Sequence, residues 1–291
     1  MVILILILVG LCLGSFVNAF VWRLREQDEL SARREELEGK KTKAKELKAL
    51  DARLADLSIS RGRSMCGHCH HTLAPKDLVP VFSYLLLRGK CRYCRARIQD
   101  SPLAELMTPV LFVVSYVFWP LQLQGSGLFL FIAWLVFLVG FVILALYDLR
   151  WYELPHKVVL PLIALAAVQV FISAFVFKEG SEVILAAFYG ALVIGGLFYA
   201  LYRISHEQWI GFGDVTLGIL LGLLVGGPAH AFLLIFIASL AGTLIALPLL
   251  ATGKATRSTH LPFGPFLMLG AVIVMLFGSR LLAWYTSTLI P

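Results

Sequence analysis

Charge is scarce in this chain. Asp, Glu, Lys and Arg together make up 15% of its 291 residues, whereas 59% are hydrophobic and the mean hydropathy is +0.84. So little charge cannot cover a water-soluble domain, and the composition is that of an integral membrane protein. Basic residues are missing ahead of the first apolar run, and no small-residue cleavage site follows it. That run is therefore expected to remain as an uncleaved first helix rather than to act as a signal peptide. Also missing is a glycine-rich nucleotide fingerprint after a strand, so residue spacing alone reveals no cofactor site.

Long apolar runs are plentiful. A helix needs roughly 20 apolar residues to cross a bilayer, and eight segments approach that length: Val2–Trp22, Leu103–Leu123, Leu128–Tyr147, Pro155–Phe177, Val183–Tyr202, Val215–Val225, Ala229–Ala251 and Phe266–Tyr285. The sixth is short and is parted from the seventh by "GGP" (Gly226–Pro228), so it should extend back toward "GFGD" (Gly211–Asp214). The expected fold is an all-α polytopic membrane protein of about eight transmembrane helices, with a cytoplasmic zinc-binding insert between the first and second. Its expected parts are 1–22, a first transmembrane helix; 23–100, a basic, helical, four-Cys insert; and 101–291, seven further helices.

Positive charge is concentrated in that insert. Of 25 Lys and Arg residues, 18 lie between Arg23 and Arg97 against 10 acids, a net of +8. The positive-inside tendency puts the insert in the cytoplasm and the N-terminus outside. Eight crossings then leave Arg150, Lys157, Arg203, Lys254 and Arg257 inside as well. Leu47, Leu50, Leu54 and Leu57 recur at three- and four-residue spacing, which marks one face of a helix. Gly39 marks a point where this region can fold into a helical hairpin.

Two close thiol pairs follow, "CGHC" at Cys66 and Cys69 and "CRYC" at Cys91 and Cys94, with 21 residues between them. Four sulfurs so arranged suit a tetrahedral metal, usually zinc, and leave no open position for catalysis. Two disulfides are the alternative, disfavoured in a reducing cytoplasm. Four thiolates on one Zn²⁺ carry about two negative charges, which neighbouring arginines and lysines can offset. His68, His70 and His71 crowd the first pair, and are expected to stand beside a complete four-Cys site. Cys12, alone in the first helix, is expected to be a packing residue.

Acids near the later helices are few. Among them, Asp148 ends the third span in "DLRWYELP", and Asp214 begins the sixth in "GFGDV". Two spans separate them, an even number, so both carboxylates should emerge on the same face of the membrane. Intramembrane acids are costly and functional by default. Two that meet would share a proton, the ionised one taking a proton from water while the other polarises a carbonyl. Gly211 and Gly213 would let an extended substrate backbone approach and would permit unusual dihedrals before the helix. The rival reading of Asp214 is a helix-start cap.

Taken in order, "GSFVNAFVWRL" (Gly14–Leu24), the two thiol pairs with "VPVFSYLLLRGKCRYC", "PLAELMT" (Pro102–Thr108), "DLRWYELP", "GFGDVTL" and "LPFGPFLMLGA" resemble the type IV prepilin peptidases, bifunctional membrane enzymes of the GxGD aspartyl protease class. The resemblance covers nearly the whole chain. It implies cleavage of the leader of type IV prepilin-like precursors on the cytoplasmic side of the inner membrane, then N-methylation of the new terminus with S-adenosylmethionine. It also implies that Asp148 and Asp214 are the catalytic pair and that Cys66, Cys69, Cys91 and Cys94 are the metal ligands. The implied partners are prepilin-like substrates and the lipid bilayer, with no nucleic acid. The chain departs from the family at "APKDLVPV" (Ala74–Val81), where an aromatic residue and Asn are common before the "PV", and in the length of Gln27–Ser60.

Other functions leave the same residues different work. In a proton- or cation-coupled transporter with a zinc-bearing cytoplasmic domain, the two acids would line a path, though such paths place polar groups toward mid-membrane. A zinc-bearing assembly scaffold would use them only as caps, and an intramembrane protease would cut deeper. His260, Glu153 and His156 lie on the same face as the acids and are expected to be interfacial loop residues.

Overall fold

The structure is a computed structural model of the chain that describes residues 1–38, 44–58, 62–98, 102–253 and 261–289. Gly39, Lys254, Arg257 and His260 lie outside the described residues. Ten α-helices and one 3₁₀ turn, Pro75–Asp77, make up the described fold: α1 Val2–Leu37, α2 Ala44–Asp56, α3 Phe82–Leu86, α4 Leu103–Phe118, α5 Ser126–Trp151, α6 His156–Phe175, α7 Ser181–Ser205, α8 Phe212–Val225, α9 Pro228–Ala251 and α10 Gly264–Leu289. No strand occurs among the described residues, only two isolated bridges, Met65 with Thr72 and Lys90 with Arg97. Six helices are long and apolar enough to cross a membrane, and α4 and α8 are shorter apolar helices. A helix thus forms in each of the eight expected segments, six of them long enough to cross. As the sequence suggests, the sixth reaches back to Phe212, yet α8 still has only 14 residues. The chain divides into two compact units, Met1–Val113 and Val114–Pro291.

In the first unit, α1 does not stop where its apolar run ends at Trp22 but continues into the polar region as far as Leu37, 36 residues in all. Its second half is rich in Glu, Arg, Ala and Leu, all good helix formers. There α1 and α2 pair along a leucine seam, with Leu30, Leu37, Leu50 and Leu57 buried and Trp22, Leu47 and Leu54 packed against them. The seam carries most of the energy, since burying one leucine is worth roughly 1.5–3 kcal/mol. The flanking ion pairs Arg33–Glu46 and Arg34–Asp51 are exposed, and such pairs contribute about 0–1 kcal/mol. Arg23 and Gln27 then close the far end of the hairpin. Arg23 donates to the Gly62 carbonyl at 2.9 Å and Gln27 to the Leu57 carbonyl at 2.9 Å, satisfying acceptors that the end of α2 leaves open.

Small residues bring α1 and α4 together. A Cβ at Gly10 would lie 2.6 Å from Pro109 Cα, and one at Gly14 would lie 2.5 Å from the Ala104 carbonyl oxygen. Backbone meets backbone here, as membrane helices do where side chains are small. Gly14→Leu should therefore force the helices apart at a cost of about 3 kcal/mol, the upper end of overpacking. A fall in the thermal midpoint of the detergent-solubilised protein would register it.

The second unit is built from α5 to α10 and uses the same device. Where α7 crosses α8, a Cβ at Gly222 would lie 2.5 Å from Ala191 Cα, and one at Gly218 would lie 3.0 Å from Ile194. Helix α5 is the most buried, its core including Phe131, Trp134, Phe137, Leu138 and Leu144. Its buried indole finds a partner: Trp134 Nε1 donates to Ser115 Oγ at 3.0 Å. Helix α5 ends where Tyr152 turns left-handed, at φ 58° and ψ 33°, three residues before Pro155.

Candidate active site and metal centre

The insert between α2 and α4 is a doubled knuckle. Cys66 and Cys91 occupy equivalent turns: the Cys66 N–H donates to the His71 carbonyl and the Cys91 N–H to the Ala96 carbonyl. The residue after each second cysteine is left-handed, His70 at φ 54° and Arg95 at φ 62°. The two knuckles bring four sulfurs within 4.8 Å of one another. A zinc–thiolate bond of about 2.3 Å sets tetrahedral sulfur–sulfur distances at about 3.8 Å; Cys66 Sγ and Cys94 Sγ are 3.9 Å apart. All four cysteines are free thiols, so the disulfide alternative is not realised. None of His68, His70 and His71 enters the cluster, and the His71 ring packs on Tyr93 at 3.8 Å between centroids.

The cluster is electrostatically uneven. Burial opposes ionising Cys66, but backbone donors from Cys69 and His68 and the thiols of Cys91 and Cys69 bring it to about 7. Cys94 has a backbone donor from Ala96, yet burial and its three neighbouring sulfurs push it up to about 11. One negative charge is easily placed among these sulfurs and a second is not, which is the state a divalent cation relieves.

Asp77, which belongs to no motif read from the residues, fastens the second knuckle. Its carboxylate accepts from Arg92 Nε at 2.6 Å, Tyr93 Oη at 3.1 Å and the Ala74 N–H at 3.3 Å. Burial pulls this carboxyl up, but those donors together hold it below the usual carboxylate range. Its contribution is therefore complete above about pH 4 and is lost only as pH falls through the lowered folded value. Asp77→Asn should loosen the second knuckle at neutral pH, read as faster metal release to a chelator. Beside the knuckles lies a cavity of about 500 Å³, lined by Ser15, Asn18, Trp22, Tyr84 and Glu105 among others. Cys12 also faces this cavity and is exposed rather than packed.

In the second unit, the end of α5 and the start of α8 converge. Asp148 is 5% exposed near the last turn of α5. Its Oδ2 accepts the Gly264 N–H at 3.1 Å. Asp214 is the third residue of α8, in a turn that Gly211 begins without a side-chain cap. The Asp214 N–H donates to the Gly211 carbonyl at 3.1 Å. The Asp214 turn, through Gly213, and the Asp148 carboxylate, through Gly264, border the same Leu154 side chain.

Leu154 and Gly264 wedge this site into shape. A Cβ on Gly213 would lie 2.9 Å from Leu154 Cβ, and one on Gly264 would lie 2.5 Å from Asp148 Oδ2. Gly213 is thus small because Leu154 fills the space. Neither Gly211 nor Gly213 has a left-handed backbone; Gly211 is ordinary extended chain at φ −78°. The expectation of unusual dihedrals before α8 is corrected accordingly, since close packing rather than backbone freedom calls for the glycine at 213. Nothing local in "LPFGPF" assigns Gly264 a role; only the fold reveals that it hugs a carboxylate. Gly264→Val should displace Asp148 and reduce any activity that depends on it at least tenfold, with membrane insertion unchanged by immunoblot. Of the nearby candidates, His156 packs edge-on against Phe212 at 5.8 Å, and Glu153 is exposed.

Comparison with known proteins is consistent across both units. Residues 8–119 match the Bacterial Peptidase A24 N-terminal domain, and residues 135–247 match the Type IV leader peptidase family. The chain is 30% identical to the prepilin leader peptidase/N-methyltransferase of Pseudomonas aeruginosa over 96% of this chain and 91% of that protein. It is 30% identical to the protein of the same name from Bacillus subtilis over 79% and 87%. Identity is 31% to the type 4 prepilin-like proteins leader peptide-processing enzyme of Escherichia coli O78:H11, over 90% and 89%. No solved structure gives a significant match. The thiol knuckles fall within the first matched region and both acids within the second, and the chain belongs to the type IV leader peptidase family.

Proposed function

We propose that this chain is a membrane aspartic endopeptidase that removes the leader of type IV prepilin-like proteins, and that it then N-methylates the exposed terminus. The observation that supports the reading is that two acids from distant parts of the sequence border one small site: Asp148 accepts the Gly264 N–H, and Leu154 lies against both Gly264 and Gly213 of the Asp214 turn. With one proton held between them, the ionised carboxylate takes a proton from water and the water oxygen attacks the scissile carbonyl carbon. The protonated carboxyl meanwhile donates to the carbonyl oxygen, giving a neutral tetrahedral intermediate. Collapse breaks the C–N bond, and a proton passes to the departing amine. The pair acts as one titrating unit, so neither acid is singled out as base. The Gly264 N–H fixes the rotamer of Asp148 and leaves its other oxygen for water or substrate.

In this proposal the four thiols hold a structural zinc ion that ties the two knuckles together. S-Adenosylmethionine, when bound, supplies the methyl group that the released amine accepts. The cavity beside the knuckles suits such a group: its volume lies within the usual range for small-molecule sites, roughly 300–1,000 Å³. Trp22 and Tyr84 offer ring faces, and Glu105 and Arg97 offer opposite charges. Peptidase chemistry is assigned to the helices of 101–291, and the basic insert to the cytoplasmic side of the inner membrane, in keeping with the surplus of Lys and Arg. The test is co-expression with a prepilin from the same genome. Mass spectrometry of the pilin should find a shortened chain carrying one added methyl group; a full-length, unmodified prepilin would reject the proposal. Proton- or cation-coupled uptake by reconstituted protein, abolished by altering the acids, would favour the transporter instead.

A further inference from the structure

The short helix α3 carries an apolar face left uncovered among the described residues. Phe82, Leu85 and Leu86 are 66%, 64% and 80% exposed, and their i, i+3, i+4 spacing puts them on one side of the helix. Leu78 and Val79, just before it, are exposed too. An uncovered patch of this kind marks a contact surface.

Its depth is fixed by a single hydrogen bond. The Val81 N–H donates to Glu105 Oε2 at 2.6 Å, tying the start of α3 to the start of α4. Glu105 in turn lies against Gly14 of α1. Gly14 is eight residues ahead of Trp22, about 12 Å along the helix axis. The start of α3 is therefore level with the apolar run of α1, on the membrane side of its last tryptophan. The surroundings are cationic: Lys76, Arg88 and Lys90 are exposed, and of the acids near the helix Asp77 is held by Arg92 and Glu105 by the Val81 N–H. Apolar side chains at bilayer depth with a basic rim are the makings of an interfacial anchor.

We propose that α3 inserts Phe82, Leu85 and Leu86 into the bilayer leaflet that borders the insert, with its basic rim held by anionic lipid headgroups. The inserted side chains Phe82, Leu85 and Leu86 are not among those lining the cavity beside the knuckles, so the anchor stands without the peptidase or methyl-transfer chemistry proposed above. It would hold the two knuckles flat against the membrane rather than leave them swinging on α1 and α4.

The test places the photoreactive residue p-benzoylphenylalanine at Leu86 of the full chain, reconstituted in nanodiscs of phosphatidylethanolamine and phosphatidylglycerol. Lys48 on the exposed surface of α2 serves as the comparison position. Illumination should yield lipid adducts at Leu86, found by mass spectrometry, at least tenfold above those at Lys48. Replacing phosphatidylglycerol by phosphatidylcholine, or making the Arg88→Glu/Lys90→Glu double substitution, should cut that yield severalfold. Equal labelling at the two positions would overturn the anchor, as would crosslinks running to a second protein chain. A yield indifferent to both lipid charge and rim charge would overturn the anionic contact. Metal content equal to that of the unsubstituted protein confirms that each variant is folded.

Discussion

Asp148→Asn and Asp214→Asn should each stop prepilin cleavage while leaving the protein in the membrane at normal abundance. An amide is nearly the same size as a carboxyl, so packing around Leu154 and Gly264 is kept; what is lost is the shared proton. General acid–base catalysis is worth typically 10²–10⁴-fold, and a pair working as one unit loses nearly all of it when either member is removed. Cleavage measured by gel shift of a co-expressed prepilin should therefore fall by about 10³-fold in each variant, with the double substitution hardly worse than the single ones. Full processing by either variant would remove the pair from the mechanism.

Cys66→Ser should cost the protein its metal. The wild type is expected to carry about one zinc per chain, because four thiolates satisfy a tetrahedral ion completely. Structural zinc contributes about 10–16 kcal/mol of apparent binding free energy in small zinc-dependent folds, and little else stabilises this insert. Its secondary structure is one 3₁₀ turn, one five-residue helix and two isolated bridges. Loss of one ligand should thus free both knuckles together and expose residues 62–98 to protease. Zinc measured by elemental analysis, alongside limited proteolysis, would read both effects. A wild-type protein purified without chelator and found metal-free would refute the assignment. Cys12→Ser, outside the cluster, should change neither reading.

Much of this was legible in the residues, for physical reasons that differ by site. Apolar runs near the bilayer thickness announce helices directly, since no other backbone can cross alone. The thiol pairs announce their cluster because two CxxC turns can close on one ion without help from distant parts of the chain. The leucine spacing at Leu47, Leu50, Leu54 and Leu57 likewise foretold one face of a helix, and all four side chains join Leu30 and Leu37 of α1 in the seam. What stayed hidden depends on long-range contact. Gly264 lies 116 positions from Asp148, and no local pattern says that its hydrogen faces a carboxylate. Asp77 looked like one more loop acid until the fold brought Arg92 and Tyr93 to it. Gly213 seemed to serve the backbone, because a sequence cannot reveal that Leu154 occupies its missing side chain.

The 14 residues of α8 extend about 21 Å, against a hydrocarbon slab of roughly 30 Å. Its last turn meets Gly226 and Gly227, and α9 sets out at once from Pro228. If that tight reversal lies at one face of the bilayer, the shortfall falls at the end that carries Asp214, where lipid thins or solvent fills a notch. In the proposed mechanism, which consumes one water for every bond it breaks, such a notch gives the acids a private inlet of hydration, closed to the oil around them.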